Sequence, residues 1–192
     1  MHFFLEDKTM HQVIYQTYED VRPVLKDGDI AFYSSHNKIG DYIIKWWEHV
    51  VGRPTDNAAG DSYSHVGTVM IMGNRVFLLE SSFAGGVRMV PLSLRQPDVI
   101  VSMDLAWTQE AENYAMEKLG MKYGLWESIK AGFGMRETSD DKFICTEYVA
   151  KITDLMGYNL PDTKQLPSNF FTQLVRDEKL FRFIVHPEKS KI

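Results

Sequence analysis

The stretch from Ser64 to Ser82 constrains this chain more than any other. Ser64 to Met72 alternates and is rich in Val, Ile and Met. Gly73-Asn74 is a turn pair that tolerates positive φ, and Arg75 to Ser82 reads as the returning strand. Together they predict a β-hairpin whose turn sets its register. With Gly73 and Asn74 at the turn, Met72 faces Arg75, and counting back sets Gly67 against Glu80 and His65 against Ser82. Side chains alternate along a strand, so His65, Gly67, Val69 and Ile71 share a face with Val76, Leu78, Glu80 and Ser82. Glu80 is then diagonal to His65, and diagonal neighbours sit roughly 7–8 Å apart. Gly67 leaves space for the carboxylate to lean toward the ring. A slip of one residue would carry Glu80 to the other face.

These positions bear on chemistry. His65 opens a strand that continues Val-Gly-Thr-Val-Met-Ile. A polar ring there is either a satisfied core histidine or a site residue. Glu80 follows Val-Phe-Leu-Leu. It is either a solvated carboxylate at a strand end or a group that holds one tautomer of His65 and stabilises its imidazolium. Of the other histidines, His2, His11 and His186 lie near the chain ends, His36 in a loop and His49 on a helix flank.

Around the hairpin, apolar spacing predicts helices over Thr9–Val21, Lys38–Val51, Gln109–Met121 with Thr108 as N-cap, Leu125–Ala131 and Phe143–Met156. Ser168 is read as the cap of another over Asn169–Val175. Further strands are expected at Ile30–Tyr33, Val87–Pro91, Val99–Met103 and Leu180–Val185, with a polar loop over Arg53–Ser62. Helix, mixed sheet, then helices with a late strand make an α+β fold.

Cys145 is the one cysteine of the chain. It can form no internal disulfide and no cysteine-rich zinc site. It falls in the first turn of the Phe143–Met156 helix. The free N–H groups and the dipole of a helix start favour an anion, which makes a thiol there a better nucleophile. A buried free cysteine is also a common small packing residue. A thiolate nucleophile needs an imidazole partner, and His65 is the candidate.

The remaining features have plainer readings. Trp46-Trp47 suits core packing, with a substrate or membrane-interface patch as the alternative. Asp140-Asp141 suits a cap for the cysteine helix. Asp27 and Asp29 around Gly28 suit a turn, with a cation site as the alternative. Gly85-Gly86 follows no phosphate-loop pattern.

Composition sets outer limits. The chain has 192 residues, 44% hydrophobic and 24% charged, enough for one domain over residues 1–192 with its own core. A net charge of -5 without a basic block argues against nucleic acid as a partner. No signal peptide is legible, and the apolar runs fall short of the ~20 residues a spanning helix needs. The expectation is a cytoplasmic protein with no stable membrane insertion.

An ordered set of motifs resembles the circularly permuted papain-like, NlpC-type hydrolases, especially the YiiX/YebB-like group. The pieces are Gly28-Asp29-Ile30-Ala31-Phe32, Ser64-His65-Val66-Gly67, Leu79-Glu80-Ser81 with Gly86-Val87, Gly120-Met121-Lys122-Tyr123-Gly124, Phe143-Ile144-Cys145-Thr146-Glu147-Tyr148-Val149-Ala150 and Leu166-Pro167-Ser168-Asn169-Phe170. They span residues 25 to 175, with the histidine strand before the cysteine helix as in the permuted group. Cys145-Thr146-Glu147 replaces the usual Cys-Ser-Glu, and the insertion over Ile39–Gly60 is large.

The resemblance implies a central antiparallel sheet with the cysteine helix packed against it. It implies Cys145 as nucleophile, His65 as general base and acid, and Glu80 as orienter. The reaction would be cleavage of an amide or ester through an acyl-enzyme, without cofactor or metal. Its substrate would be a small peptide or acyl ester, with cell-wall peptides as one class. An unexported enzyme would reach those through a phage or lysis system. The backbone N–H of Cys145 is the natural first oxyanion donor, and Tyr123, or a group near Asp29 and Tyr33, is the candidate second. The alternatives are an acyltransferase or lipid hydrolase resembling the lecithin–retinol acyltransferase branch, and a binding module in which Cys145 and His65 only pack.

Overall fold

The computed structural model describes residues 12–14, 17–34, 63–103, 105–124, 142–158, 167–176 and 181–185. The hairpin forms as its turn dictates. β3 (Tyr63–Met72) pairs with β4 (Arg75–Ser82) from Met72–Arg75 back to Gly67–Glu80, and Gly73 turns the chain at φ 59°. The ladder stops at Gly67–Glu80. Beyond it His65 pairs only with Tyr33 of β2 (Ile30–Ser34), and Ser81 and Ser82 pair only with β5 (Gly86–Pro91). The expected pairing of His65 with Ser82 is therefore absent, and the two strands part at this end.

Seven described strands form one sheet in the order β1-β9-β6-β2-β3-β4-β5, where β1 is Gln12–Ile14, β6 is Val99–Met103 and β9 is Phe181–Val185. Every neighbouring pair is antiparallel except β1 with β9. The predicted α+β class and central antiparallel sheet are what the chain forms. The helix expected over Thr9–Val21 is not. Its Gln12–Ile14 part is a strand beside β9, and among the described residues of that stretch only α1 (Tyr18–Val21) is helical, opened by a Thr17–Asp20 capping box. The partner that turns Gln12–Ile14 into strand lies at the other end of the sequence, where local periodicity carries no information.

Alternation divides the sheet into two cores. One face carries Ile30, Phe32, Val66, Val101 and Met103, packed with Cys145, Val149 and Phe170. Met70 and Leu79 extend it toward Tyr148 and Ile152. The other carries Ala31, Tyr33, Val69, Leu78 and Ile100 under Val21, Leu25 and Leu92. The first is the helical face, covered by α2 (Gln109–Glu117), α3 (Cys145–Leu155) and α4 (Pro167–Arg176). Phe32 is its hub, with ring contacts to Tyr63, Phe170 and Phe171.

Local chemistry explains the helix ends. Thr108 caps α2 as predicted, accepting from the Ala111 N–H. That helix stops at Glu117 instead of Met121 because Gly120 and Met121 bond to β5: Gly120 N–H donates to Val87 O and Val87 N–H to Met121 O, each at 2.8 Å. Cys145 is the first residue of α3, since Lys142–Phe143 is a two-residue strand (β8) paired parallel to β7 (Lys122–Tyr123). Its N-cap is Ile144, not the Asp140-Asp141 pair. α3 ends with Gly157 at φ 95°, where Gly157 N–H donates to Asp154 O and Tyr158 N–H to Thr153 O. Ser168 is not a cap. It lies inside α4 and ties that helix to the sheet, its hydroxyl accepting from Tyr63 N–H at 2.9 Å and donating to Tyr63 O at 3.1 Å.

The expected helices over Lys38–Val51 and Leu125–Ala131, the loop over Arg53–Ser62, Trp46-Trp47 and Asp140-Asp141 lie outside the described residues. Among the described residues no helix is long and apolar enough to cross a membrane.

Candidate active site

The register that sets Gly67 against Glu80 also sets Glu80 against Arg88 on β5. Glu80 is wholly buried, and an isolated carboxylate could not stay charged there. It is not isolated. His65 Nε2 lies 2.6 Å from its Oε2, Arg95 Nη1 donates to the same oxygen at 2.6 Å, and Arg88 donates to Oε1 from Nε at 2.8 Å and Nη2 at 2.7 Å. Burial pushes the Glu80 carboxyl up. The hydrogen bond and charge of His65, then Arg95 and Arg88, outweigh it and hold the group at about 2.

His65 is aimed by a bulge. β2 and β3 shift register between Tyr33–His65 and Ser34–Tyr63, which leaves Ser64 as the extra residue immediately before the ring. The Ser64 hydroxyl donates to Tyr33 O at 3.3 Å. The Tyr33 ring lies 5.8 Å from the imidazole. Alternation places His65 and Glu80 on the sheet face away from α3. The imidazole and the thiol of Cys145 meet where the β3–β4 ladder has ended. Burial disfavours the imidazolium, but hydrogen bonds with Cys145 and Glu80 and their charges raise the His65 pKa above its ordinary value. With Nε2 engaged by Glu80, Nδ1 is the nitrogen left for the thiol.

Cys145 opens α3, and Ile144 makes no side-chain capping bond. The first N–H groups of a helix have no partner within it, so the helix start offers donors beside the sulfur. Thr146, where the resembling family has serine, buries a hydroxyl that has no hydrogen-bond partner among the described residues.

Cys145, His65 and Glu80 are therefore together. Gly67 is close-packed rather than open. A Cβ there would lie 2.5 Å from Leu78 Cδ1 and 2.9 Å from Leu79 O, so Leu78 fills the space expected for the carboxylate. Tyr33 borders the imidazole, but its hydroxyl donates to Arg95 O at 3.0 Å and is not free to serve an oxyanion. Asp29 is not brought to the site. It lies four residues up β2 from Tyr33, roughly 13 Å at 3.3 Å per residue. Its carboxylate accepts from Lys26 N–H at 2.8 Å and Met103 N–H at 3.3 Å, so its role is structural. Asp27 likewise accepts from Ile71 N–H at 2.5 Å. Tyr123 is nearer, paired with Phe143 two residues before Cys145.

Arg88 and Arg95 carry no motif in the sequence that marks them as partners of Glu80. Arg88 was within reach, because a three-residue turn over Phe83–Gly85 sets Ser82 against Gly86 and hence Glu80 against Arg88. Arg95 follows a short 3-10 turn over Leu92–Leu94 and has no periodic signal. Among the described residues no group of three or more His, Cys, Asp and Glu side chains is placed to hold a metal ion.

Neither the protein-family models nor the curated proteins compared with this sequence give a match. Among solved structures the chain is similar to the crystal structure of the metalloprotein YiiX from Escherichia coli O157:H7. The TM-score is 0.47 and the identity 19%, over 84% of this chain and 89% of that chain.

Proposed function

We propose that this protein is a cysteine hydrolase of the permuted papain-like type, cleaving an amide or ester through an acyl-enzyme on Cys145. One observation carries the reading: the chain's lone thiol opens a helix beside an imidazole whose other nitrogen is bonded at 2.6 Å to a buried, ionised carboxylate. That is the nucleophile–base–orienter arrangement. His65 takes the thiol proton, the thiolate attacks the carbonyl carbon, and the Cys145 N–H donates to the developing oxyanion. The imidazolium then protonates the leaving group. Water, activated by the same ring, releases the acyl group. Glu80 keeps the ring in one orientation throughout and, held by two arginines, does not itself take the proton.

The test is alkylation followed by acyl trapping. Iodoacetamide should label Cys145 faster than a free thiol and with a pH dependence below 8 that disappears in His65→Ala. Mass spectrometry with a panel of peptide and acyl-ester substrates should then find an adduct on Cys145. Labelling no faster than a free thiol, unchanged in His65→Ala, would leave Cys145 a packing residue.

A further inference from the structure

Two loops meet and line an open, solvent-facing cavity of about 290 Å³. One wall is the β4–β5 turn, with Phe83, Gly85 and Gly86. The other runs from Gly120 to Tyr123 and includes Lys122. The walls are held close by backbone. The Val87–Met121 and Gly120–Val87 hydrogen bonds tie them together, and a Cβ at Gly86 would run into the carbonyl oxygen of Met121. The cavity connects to the start of α3 through its lining residue Tyr123, which pairs with Phe143, two residues before Cys145, and Ser81 Oγ donates to Phe143 O at 2.7 Å.

Its charge is one-sided. Among the described residues no carboxylate lines it, Lys122 does, and the Arg88 guanidinium lies against the turn, with Nη1 2.9 Å from where a Cβ of Gly85 would be. Arg88 is only partly spent on Glu80 and remains 38% exposed. Phe83, 71% exposed, stands edge-on to Tyr123 at 6.1 Å and gives the rim an aromatic surface. Positive charge gathered here, on a chain of net charge -5, suits an anionic oxygen group approached by Lys122 and Arg88 across a glycine-rich turn.

We propose that this cavity binds an anionic end of the substrate, a carboxylate or a phosphate carried on the acyl chain whose carbonyl Cys145 attacks. The inference rests on the hydrolase reading for its substrate but not for its binding site, and the experiment separates the two. The full chain is titrated with inorganic phosphate and with glutarate, followed by the amide NMR shifts of Gly85, Gly86, Lys122 and Tyr123. Shifts with phosphate mark a phosphate-bearing substrate and shifts with glutarate a carboxylate-bearing one. Separately, p-nitrophenyl esters ending in carboxylate or in methyl, of equal length, are reacted with Cys145. The C–S bond forms, the ester C–O bond breaks and p-nitrophenolate leaves.

The carboxylate-ended series should acylate at least about tenfold faster at its best length. Lys122→Gln should weaken both the shifts and this preference, and Lys122→Arg should restore them. Anion shifts without any acylation would remove the hydrolase reading and keep the site. No shift with either anion, or shifts and preference indifferent to Lys122→Gln, would overturn the proposal.

Discussion

Two buried carboxylates in this chain behave oppositely, and their partners say why. Asp29 has backbone N–H donors and a serine hydroxyl but no buried cation bonded to it. Burial therefore dominates and pushes its carboxyl up to about 6, against the hydrogen bonds from Lys26, Ser102 and Met103. Glu80 has two guanidiniums and an imidazole, and stays at about 2. The linkage to stability has opposite signs. The Asp29 contribution is complete below its ordinary 3.8 and is lost as pH rises through about 6. The Glu80 contribution is complete above its ordinary 4.5 and is lost as pH falls through about 2. Asp29→Asn should flatten the stability profile between pH 4 and 6. It should also cost about 1–3 kcal/mol at neutral pH, since one amide N–H would face the Lys26 or Met103 donor. Chemical denaturation across that range reads both. Glu80→Gln should cost about 1–3 kcal/mol, through the charge-assisted hydrogen bonds lost to two arginines that stay partly exposed to water. It should also lower the His65 pKa, read by NMR titration of the imidazole. An unchanged His65 titration would mean that Glu80 does not orient the ring.

Elements bring these residues within range by their ends rather than their middles. The β3–β4 ladder ends at Gly67–Glu80, the bulge at Ser64 lies next to His65, and α3 begins at Cys145. α3 must be held in place for its first residue to serve chemistry. Its buried face of Tyr148, Val149 and Ile152 does this, with the Gly157 terminus at its far end. Gly157→Ala should cost about 1–2 kcal/mol, the penalty for an L side chain at positive φ. The alkylation rate of Cys145 should be little changed, because the strain lies at the other end of the helix. Much at this scale was legible. The hairpin register followed from a two-residue turn, the α2 cap from residue type and spacing, and the place of Cys145 in the first turn of its helix from spacing, although that helix begins at Cys145 and not at the expected Phe143. Two places depart from local pattern: Gln12–Ile14, where a strand pairing of long sequence separation overrides helical spacing, and Ser168, whose position predicts a local cap but whose hydroxyl bonds to Tyr63.

Across the whole molecule, His65 and Glu80 come from the first half of the chain and Cys145 from the second, so only the packed sheet unites them. Phe32 sits where the halves meet, wholly buried among Tyr63, Phe170 and Phe171. Phe32→Ala should cost about 3–5 kcal/mol by opening a cavity between β2, β3 and α4. Its signature would be a fall in both the denaturation midpoint and the pH-dependent reactivity of Cys145.

By itself the sequence determined the hairpin, its register, the shared face of His65 and Glu80, and the thiol at a helix start, because turn chemistry and side-chain periodicity act over a few residues. Three things were decided only by tertiary structure: that Cys145 meets His65 where the ladder ends, that Arg95 returns to Glu80, and that Asp29 is withdrawn into the turn before β2. Each depends on contacts between residues far apart in the chain, and burial there changes both what a side chain touches and what charge it can carry.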